Sequence, residues 1–151
     1  LRVALGSDHA GFALKAWIAE WLPGRGHEVL DFGTEGTASV DYPDFAAPVC
    51  RAVLDGRADR GILVCNSGIG MSMAANRFRG IRAALCLFPL MARYARHHND
   101  ANVIALAGGL TAPFLAAETV SVFLEETFDG GRHERRLMRI EECADNGRSD
   151  G

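Results

Sequence analysis

Short apolar runs alternate with longer amphipathic stretches along nearly the whole chain. The strand-length runs cover residues 2–6, 27–32, 61–64, 81–86 and 102–106. Between them, apolar positions recur at helical spacing. Over residues 11–22 they are Phe12, Leu14, Trp17, Ile18, Trp21 and Leu22, which fits a helix with one buried side. Further helices are predicted from Tyr42-Pro43 through Leu54 and near 70–77, 89–97, 112–126 and 132–142. Pro23-Gly24-Arg25-Gly26 stops the first helix and Asp55-Gly56 the second, because proline lacks an N–H to donate and glycine tolerates the left-handed turn that ends a helix. Strands alternating with helices imply right-handed crossovers and a parallel sheet covered on both faces. The expected architecture is therefore α/β, three layers around a five-stranded parallel sheet. A single domain is expected over residues 1–143, with the polar stretch 144–151 fraying.

Composition narrows the function classes. At 151 residues the chain has room for a real core, and 48% hydrophobic with 23% charged residues is ordinary globular usage. A formal net charge of −3 argues against binding nucleic acid through its phosphates. No apolar stretch approaches the ~20 residues that span a bilayer. Leu1-Arg2-Val3-Ala4-Leu5 leads straight into a strand pattern without a cationic stretch and cleavage site, so no signal peptide is expected. Cys50, Cys65, Cys86 and Cys143 lie far apart with no C-x-x-C spacing. Reduced thiols and a cytoplasmic location are expected.

The chemistry concentrates in Gly61-Ile-Leu-Val-Cys-Asn-Ser-Gly-Ile-Gly-Met-Ser-Met-Ala-Ala-Asn76. An apolar strand ends in Cys65, a loop of small residues follows, and a helix begins. A helix start offers free N–H groups and partial positive charge, so a thiol there is placed to ionise and an anion to dock. A free cysteine is ordinarily a small packing residue; the glycine-rich loop and helix start point here to a general base or nucleophile. Gly68-Ile69-Gly70 is not a dinucleotide fingerprint, because Met73 stands where the third glycine belongs. It indicates close backbone approach to some ligand.

In open parallel sheets ligands bind at the carboxyl ends of strands, which brings forward Asp8 and His9 after the first strand and Gly108 and Gly109 after the fifth. Capping a helix and contacting substrate are compatible roles for Asp8 and His9. His97 and His98 are consecutive and cannot share a helix face, so one is expected to enter a cleft and the other to meet solvent. No Cys/His spacing fits zinc, and no metal site is expected. Arg132 and Arg136 share a helix face with Arg135 nearby. That set is either a solvated face or a bidentate clamp for phosphate.

Taken together the motifs resemble the ribose-5-phosphate isomerase B family, which includes galactose-6-phosphate isomerase subunits. The matching pieces are Gly6-Ser-Asp-His-Ala-Gly-Phe12, Asp41-Tyr-Pro-Asp44, Gly61 to Gly70, Ala74-Ala-Asn76, Gly80-Ile-Arg-Ala83, His98-Asn-Asp-Ala-Asn-Val103 and Gly130-Gly-Arg-His133, in family order. The resemblance implies a Rossmann-like sheet, a homodimer or tetramer with active sites shared between subunits, and a last helix packed on the partner. It also implies cofactor- and metal-free aldose–ketose isomerisation of a sugar phosphate through a cis-enediolate, in pentose phosphate metabolism. By position Cys65 would move the proton between C2 and C1, and His98 would help open the sugar ring. Asn99, Ser67 and the backbone of Asn66, Gly68, Ile69 and Gly70 would serve the enediolate and sugar oxygens. Asp8 and His9 would contact substrate, and Arg132 and Arg136 would grip phosphate.

Two places depart from the family pattern. Asn66-Ser67-Gly68 stands where Gly-Thr-Gly or Gly-Ser-Gly is usual, and Gly109 stands where members acting on pentose phosphates carry a phosphate-binding arginine. Either Arg135 compensates, phosphate affinity is lower, or the sugar is a different tetrose, pentose or hexose phosphate. A non-catalytic phosphosugar- or nucleotide-binding module and a cysteine hydrolase are the competing readings; simple binding needs neither a base nor a ring-opening group.

Overall fold

The computed structural model describes residues 1–146. Five strands, β1 (Arg2–Ser7), β2 (Glu28–Asp31), β3 (Arg60–Cys65), β4 (Ala83–Leu85) and β5 (Val103–Ala107), alternate with helices α1 (Phe12–Trp21), α2 (Tyr42–Leu54), α3 (Ile69–Ala75), α4 (Pro89–Asn99) and α5 (Pro113–Glu125). The last helix, α6 (Arg132–Asn146), follows without another strand. All strand pairs are parallel, in the order β2-β1-β3-β5-β4. The fold is the expected Rossmann-like α/β sandwich.

Alternation along the central strands separates two cores. Val3, Leu5, Ile62, Val64, Ile104 and Leu106 face the layer of α1, α4 and α5. Ala4, Leu63, Cys65, Val103 and Ala105 face α2 and α3. A period of two with both faces apolar is what a sheet covered on both sides requires. The second layer lies close because the strand residues there are small: a Cβ on Gly6 would stand 2.8 Å from Val49 Cγ2, and one on Gly61 2.9 Å from Val49 Cγ1. Pro89 and Pro113 open α4 and α5, positions where a missing N–H costs nothing.

Three expectations need correction. β4 spans only Ala83–Leu85, against the run expected at 81–86. It is an edge strand, and before it the Asn76 side chain takes the place of a neighbour, accepting from the Ala83 N–H at 2.9 Å and donating to its carbonyl at 2.8 Å. α3 begins at Ile69 and stops at Ala75, shorter than the helix expected near 70–77. α6 continues to Asn146, past the expected end at 142. The remainder of the tail expected to fray, 147–151, lies outside the described residues.

Candidate active site

β3 delivers Cys65 to the carboxyl edge of the sheet, paired in register with Ala107. The thiol is buried, at 4% exposure, and its Sγ accepts a hydrogen bond from the Gly68 N–H at 3.2 Å. Gly68 has φ +75, and a Cβ there would lie 3.1 Å from the Leu106 carbonyl carbon. Only glycine lets the loop turn this tightly back over the sulfur. The Ile69 N–H donates to Ser67 Oγ at 3.3 Å, so two of the loop amides expected to face substrate, those of Gly68 and Ile69, are already engaged. Gly70 and Met71 retain N–H groups without an acceptor inside α3. The Tyr42 ring packs 2.8 Å from where a Gly70 Cβ would stand, closing the α2 side of the loop.

Asp8 and His9 reach the same edge. The buried Asp8 carboxylate does not cap α1 directly: Oδ1 accepts from the N–H of Gly11, the residue before the helix, at 2.9 Å and so fixes the turn that leads into it. His9 Nδ1 accepts from the Val40 N–H at 3.2 Å. With Nδ1 as acceptor, the proton of the neutral ring sits on Nε2, the nitrogen left for a ligand. Gly108 and Gly109 complete this edge: their N–H groups donate to the carbonyls of Cys65 and Asn66 at 2.8 and 3.0 Å.

The loops that leave this edge are residues 8–11, 32–41, 66–68, 86–88 and 108–112, and none contains Lys or Arg. Lys15, in α1, is buried and bonded to both carboxylate oxygens of Asp31 at 2.7 Å. His9 is therefore the sole potential cation of these loops.

His98, Asn99, Arg132 and Arg136 are not brought to Cys65. α4 runs back along the sheet, so its last residues lie at the amino edge, where the Asn102 carbonyl accepts from the Gly61 N–H at 2.9 Å. The whole of β5, roughly 16 Å at ~3.3 Å per residue, separates that edge from Ala107. Here Arg82 Nε donates to the carbonyls of Asn99 and Asp100 at 3.1 and 3.0 Å, and Asp100 takes the left-handed conformation at φ 43. Arg82 and Arg96 each hold one Asp100 carboxylate oxygen, at 3.0 and 2.8 Å. Asn99 stays exposed beside them.

His98 stacks on Tyr94 at 5.0 Å and on His133 at 4.5 Å. Neither histidine of the pair meets solvent alone: His97 Nε2 lies 2.7 Å from Glu126 Oε2, and the pairing holds the Glu126 carboxyl below its usual range. Burial first, then the charges of His98, Arg132 and Arg136, hold the His133 imidazole below the ordinary histidine value. Donor atoms of His98, Asp129 and His133 lie within 4.8 Å of one another, a grouping that could hold an ion and that spacing did not reveal. The two rings are stacked rather than convergent, and Arg132 and Arg136 add positive charge to the same patch, which disfavours a cation. His133 and Tyr42 are the contributors that sequence reasoning left without a role; their motifs were visible, but their partners are distant in sequence.

Two apolar grooves flank these two groups of residues. One, of about 880 Å³, runs between α2 and α3 past Tyr42, Ser72, Met73 and Phe78. The other, about 410 Å³, follows edge strand β4 past Leu85, Tyr94, Asn99 and Ile140. Met73, Tyr94 and Ile140 are 66%, 50% and 48% exposed. Among the described residues no helix is long and apolar enough to cross a membrane.

Comparison with known proteins agrees in sequence and in fold. The family model described as ribose/galactose isomerase matches residues 3–140. Ribose-5-phosphate isomerase B of Escherichia coli is 44% identical over 139 residues, covering 92% of this chain and 93% of that protein. D-erythrulose-4-phosphate isomerase of Pectobacterium atrosepticum is 39% identical over 141 residues, covering 93% of each. The crystal structure of a ribose 5-phosphate isomerase from Thermotoga maritima superposes with a TM-score of 0.93 at 55% identity, covering 94% of this chain and 98% of that one.

Proposed function

The chain belongs to the ribose/galactose isomerase family, and from that premise we propose that it interconverts an aldose phosphate and its ketose through a cis-enediolate, with Cys65 as the base. The observation that carries this reading is the buried Cys65 sulfur at the end of β3 with the Gly68 N–H aimed at it. Relatives named for ribose 5-phosphate, D-erythrulose 4-phosphate and galactose 6-phosphate support a sugar phosphate of four to six carbons as the substrate class.

The steps balance on one base. Sγ takes the proton from C2, the C–H electron pair becomes the C1–C2 double bond, and the carbonyl π pair moves onto O1. The proton returns at C1, the O2 hydroxyl proton ends on O1, and O2 becomes the new carbonyl. Charge developing on the two oxygens needs donors already in place. In this reading the free first-turn N–H groups of α3 and the Asn99 amide of a second copy supply them, without a metal.

The substrate phosphate is a dianion, and the loops around Cys65 carry no Lys or Arg. Arg132 and Arg136 of a second copy would meet it, together with that copy's His98 for ring opening. This assignment makes the enzyme a homodimer or larger assembly, with the apolar grooves beside α3 and β4 covered by the second copy. Such sharing suits a C2 interface, in which each copy completes the other's site. Four unpaired cysteines, one of them the base, suit a reducing cytoplasm.

Incubation with tetrose, pentose and hexose phosphates in D₂O, followed by NMR, tests the reading. The expected result is deuterium at C1 or C2 with aldose–ketose conversion, both lost in Cys65→Ala. Exchange that survives in Cys65→Ala would remove Cys65 as the base. Silence of the folded wild-type protein across the panel would overturn the substrate class.

A further inference from the structure

The carboxamide of Asn66 occupies the space that a side chain at residue 109 would need. A Cβ built on Gly109 falls inside van der Waals contact with Asn66 Oδ1, 3.1 Å from its Cγ and 3.2 Å from its backbone oxygen. The backbones cannot separate to relieve this, because the Gly109 N–H donates to the Asn66 carbonyl at 3.0 Å as a continuation of the β3–β5 ladder. Any residue larger than glycine at 109 must turn the Asn66 side chain away. The carboxamide is exposed and has no side-chain hydrogen bond among the described residues. It immediately follows the buried thiol, at the ligand-binding edge of the sheet.

We propose that Asn66 and Gly109 form an interlocked specificity pair: Gly109 leaves room for the Asn66 amide, and that amide hydrogen-bonds hydroxyl or carbonyl oxygens of the sugar. A primary amide offers both a donor and an acceptor and carries no charge, which matches a polyol chain rather than a phosphate dianion. The absence of Lys and Arg from every loop at this edge agrees: this half of the site handles the neutral part of the substrate. Because the sugar's hydroxyl pattern differs between tetrose, pentose and hexose phosphates, the pair discriminates among them. The role rests on the isomerase reading above.

The test is a double-mutant cycle of Gly109→Ala, Asn66→Gly and the two together. Its readouts are kcat/KM across the sugar-phosphate panel, inhibition by inorganic phosphate, and the thermal midpoint. Each single change is expected to lower kcat/KM for the preferred sugar by about tenfold or more and to change its preference over the others. The double variant is expected to fall no further than Asn66→Gly, since no carboxamide is then left for the added methyl to displace. The inhibition constant for phosphate is expected to stay within about twofold in all three. Losses that multiply in the double variant, with the thermal midpoints of all variants retained, would overturn the interlock. Phosphate inhibition that weakens in step with Asn66→Gly would place the amide on the phosphate instead and overturn its role with the sugar. A wild-type protein that isomerises nothing fails the parent reading and the sugar role with it. The thermal cycle still reports the contact in that case, a stability loss in Gly109→Ala being relieved by Asn66→Gly.

Discussion

The imidazole rings of His98 and His133 stack with centroids 4.5 Å apart and planes 11° from parallel. Through this contact α6, mostly exposed along its described length, is tied to the end of α4. The stack therefore sets where Arg132 and Arg136 sit relative to His98.

This attachment weakens in acid. Burial and neighbouring positive charge hold the His133 imidazole below the ordinary 6.5, so as pH falls the unfolded chain takes up a proton before the folded one does. Stability from this group is complete above about pH 6.5 and is lost as pH falls toward the lower folded value. Urea midpoints measured from pH 8 to 5 are expected to fall more steeply for the wild type than for His133→Gln. Parallel curves would show that His133 carries none of the dependence.

Asn99 lies exposed at the amino edge, its carbonyl held by Arg82 at 3.1 Å while its side chain stays open. If that amide stabilises the enediolate, Asn99→Ala lowers kcat by roughly 10²–10³ with little change in KM. Steady-state kinetics on the preferred sugar decides it; an unchanged kcat removes Asn99 from the chemistry.

Gly68→Ala asks for a side chain at φ +75, 3.1 Å from the Leu106 carbonyl carbon. The expected destabilisation is about 1–3 kcal/mol, measured by chemical denaturation. Turnover is expected to drop as well, because the strained loop takes the Gly68 N–H away from the sulfur of Cys65.

Thiol labelling separates the four cysteines. Burial pushes the Cys50 thiol up to about 11 and that of Cys86 up to about 12. Iodoacetamide at pH 8 is expected to leave both unmodified until the protein unfolds, as peptide mass spectrometry would read. Any inactivation then traces to Cys65 or to exposed Cys143, and Cys143→Ser assigns it.

Much of this fold is legible along the chain because each element carries its own signal. Ile62-Leu63-Val64 closing on Cys65 and a run of small residues marks a buried strand with a tight loop, and β3 is there. β4 is less legible because half of its pairing is with the Asn76 side chain, which no strand pattern records. The site divides the same way. Cys65, Ser67, Asp8 and His9 announce themselves by following strands. The stack of His133 on His98, the Lys15–Asp31 pair and the fit of Asn66 over Gly109 join residues 16 to 43 positions apart or more precisely seated than spacing can specify. The placement of His98 and Asn99 at the opposite edge follows from helix direction, which becomes readable only once α4 is known to return along the sheet.

If the site is shared as proposed, a chain with Cys65 at one edge of the sheet and Arg132, Arg136 and His98 at the other holds two unfinished sites. In that assembly Cys65→Ala and His98→Gln would each be inactive by spoiling a different half. Refolded together at equal amounts, they would assemble mixed pairs containing one site with both lesions and one with neither. A statistical mixture would then recover about one quarter of the wild-type activity. Catalysis in such an enzyme is a property of encounter, and on dilution it would fade while every chain remained folded.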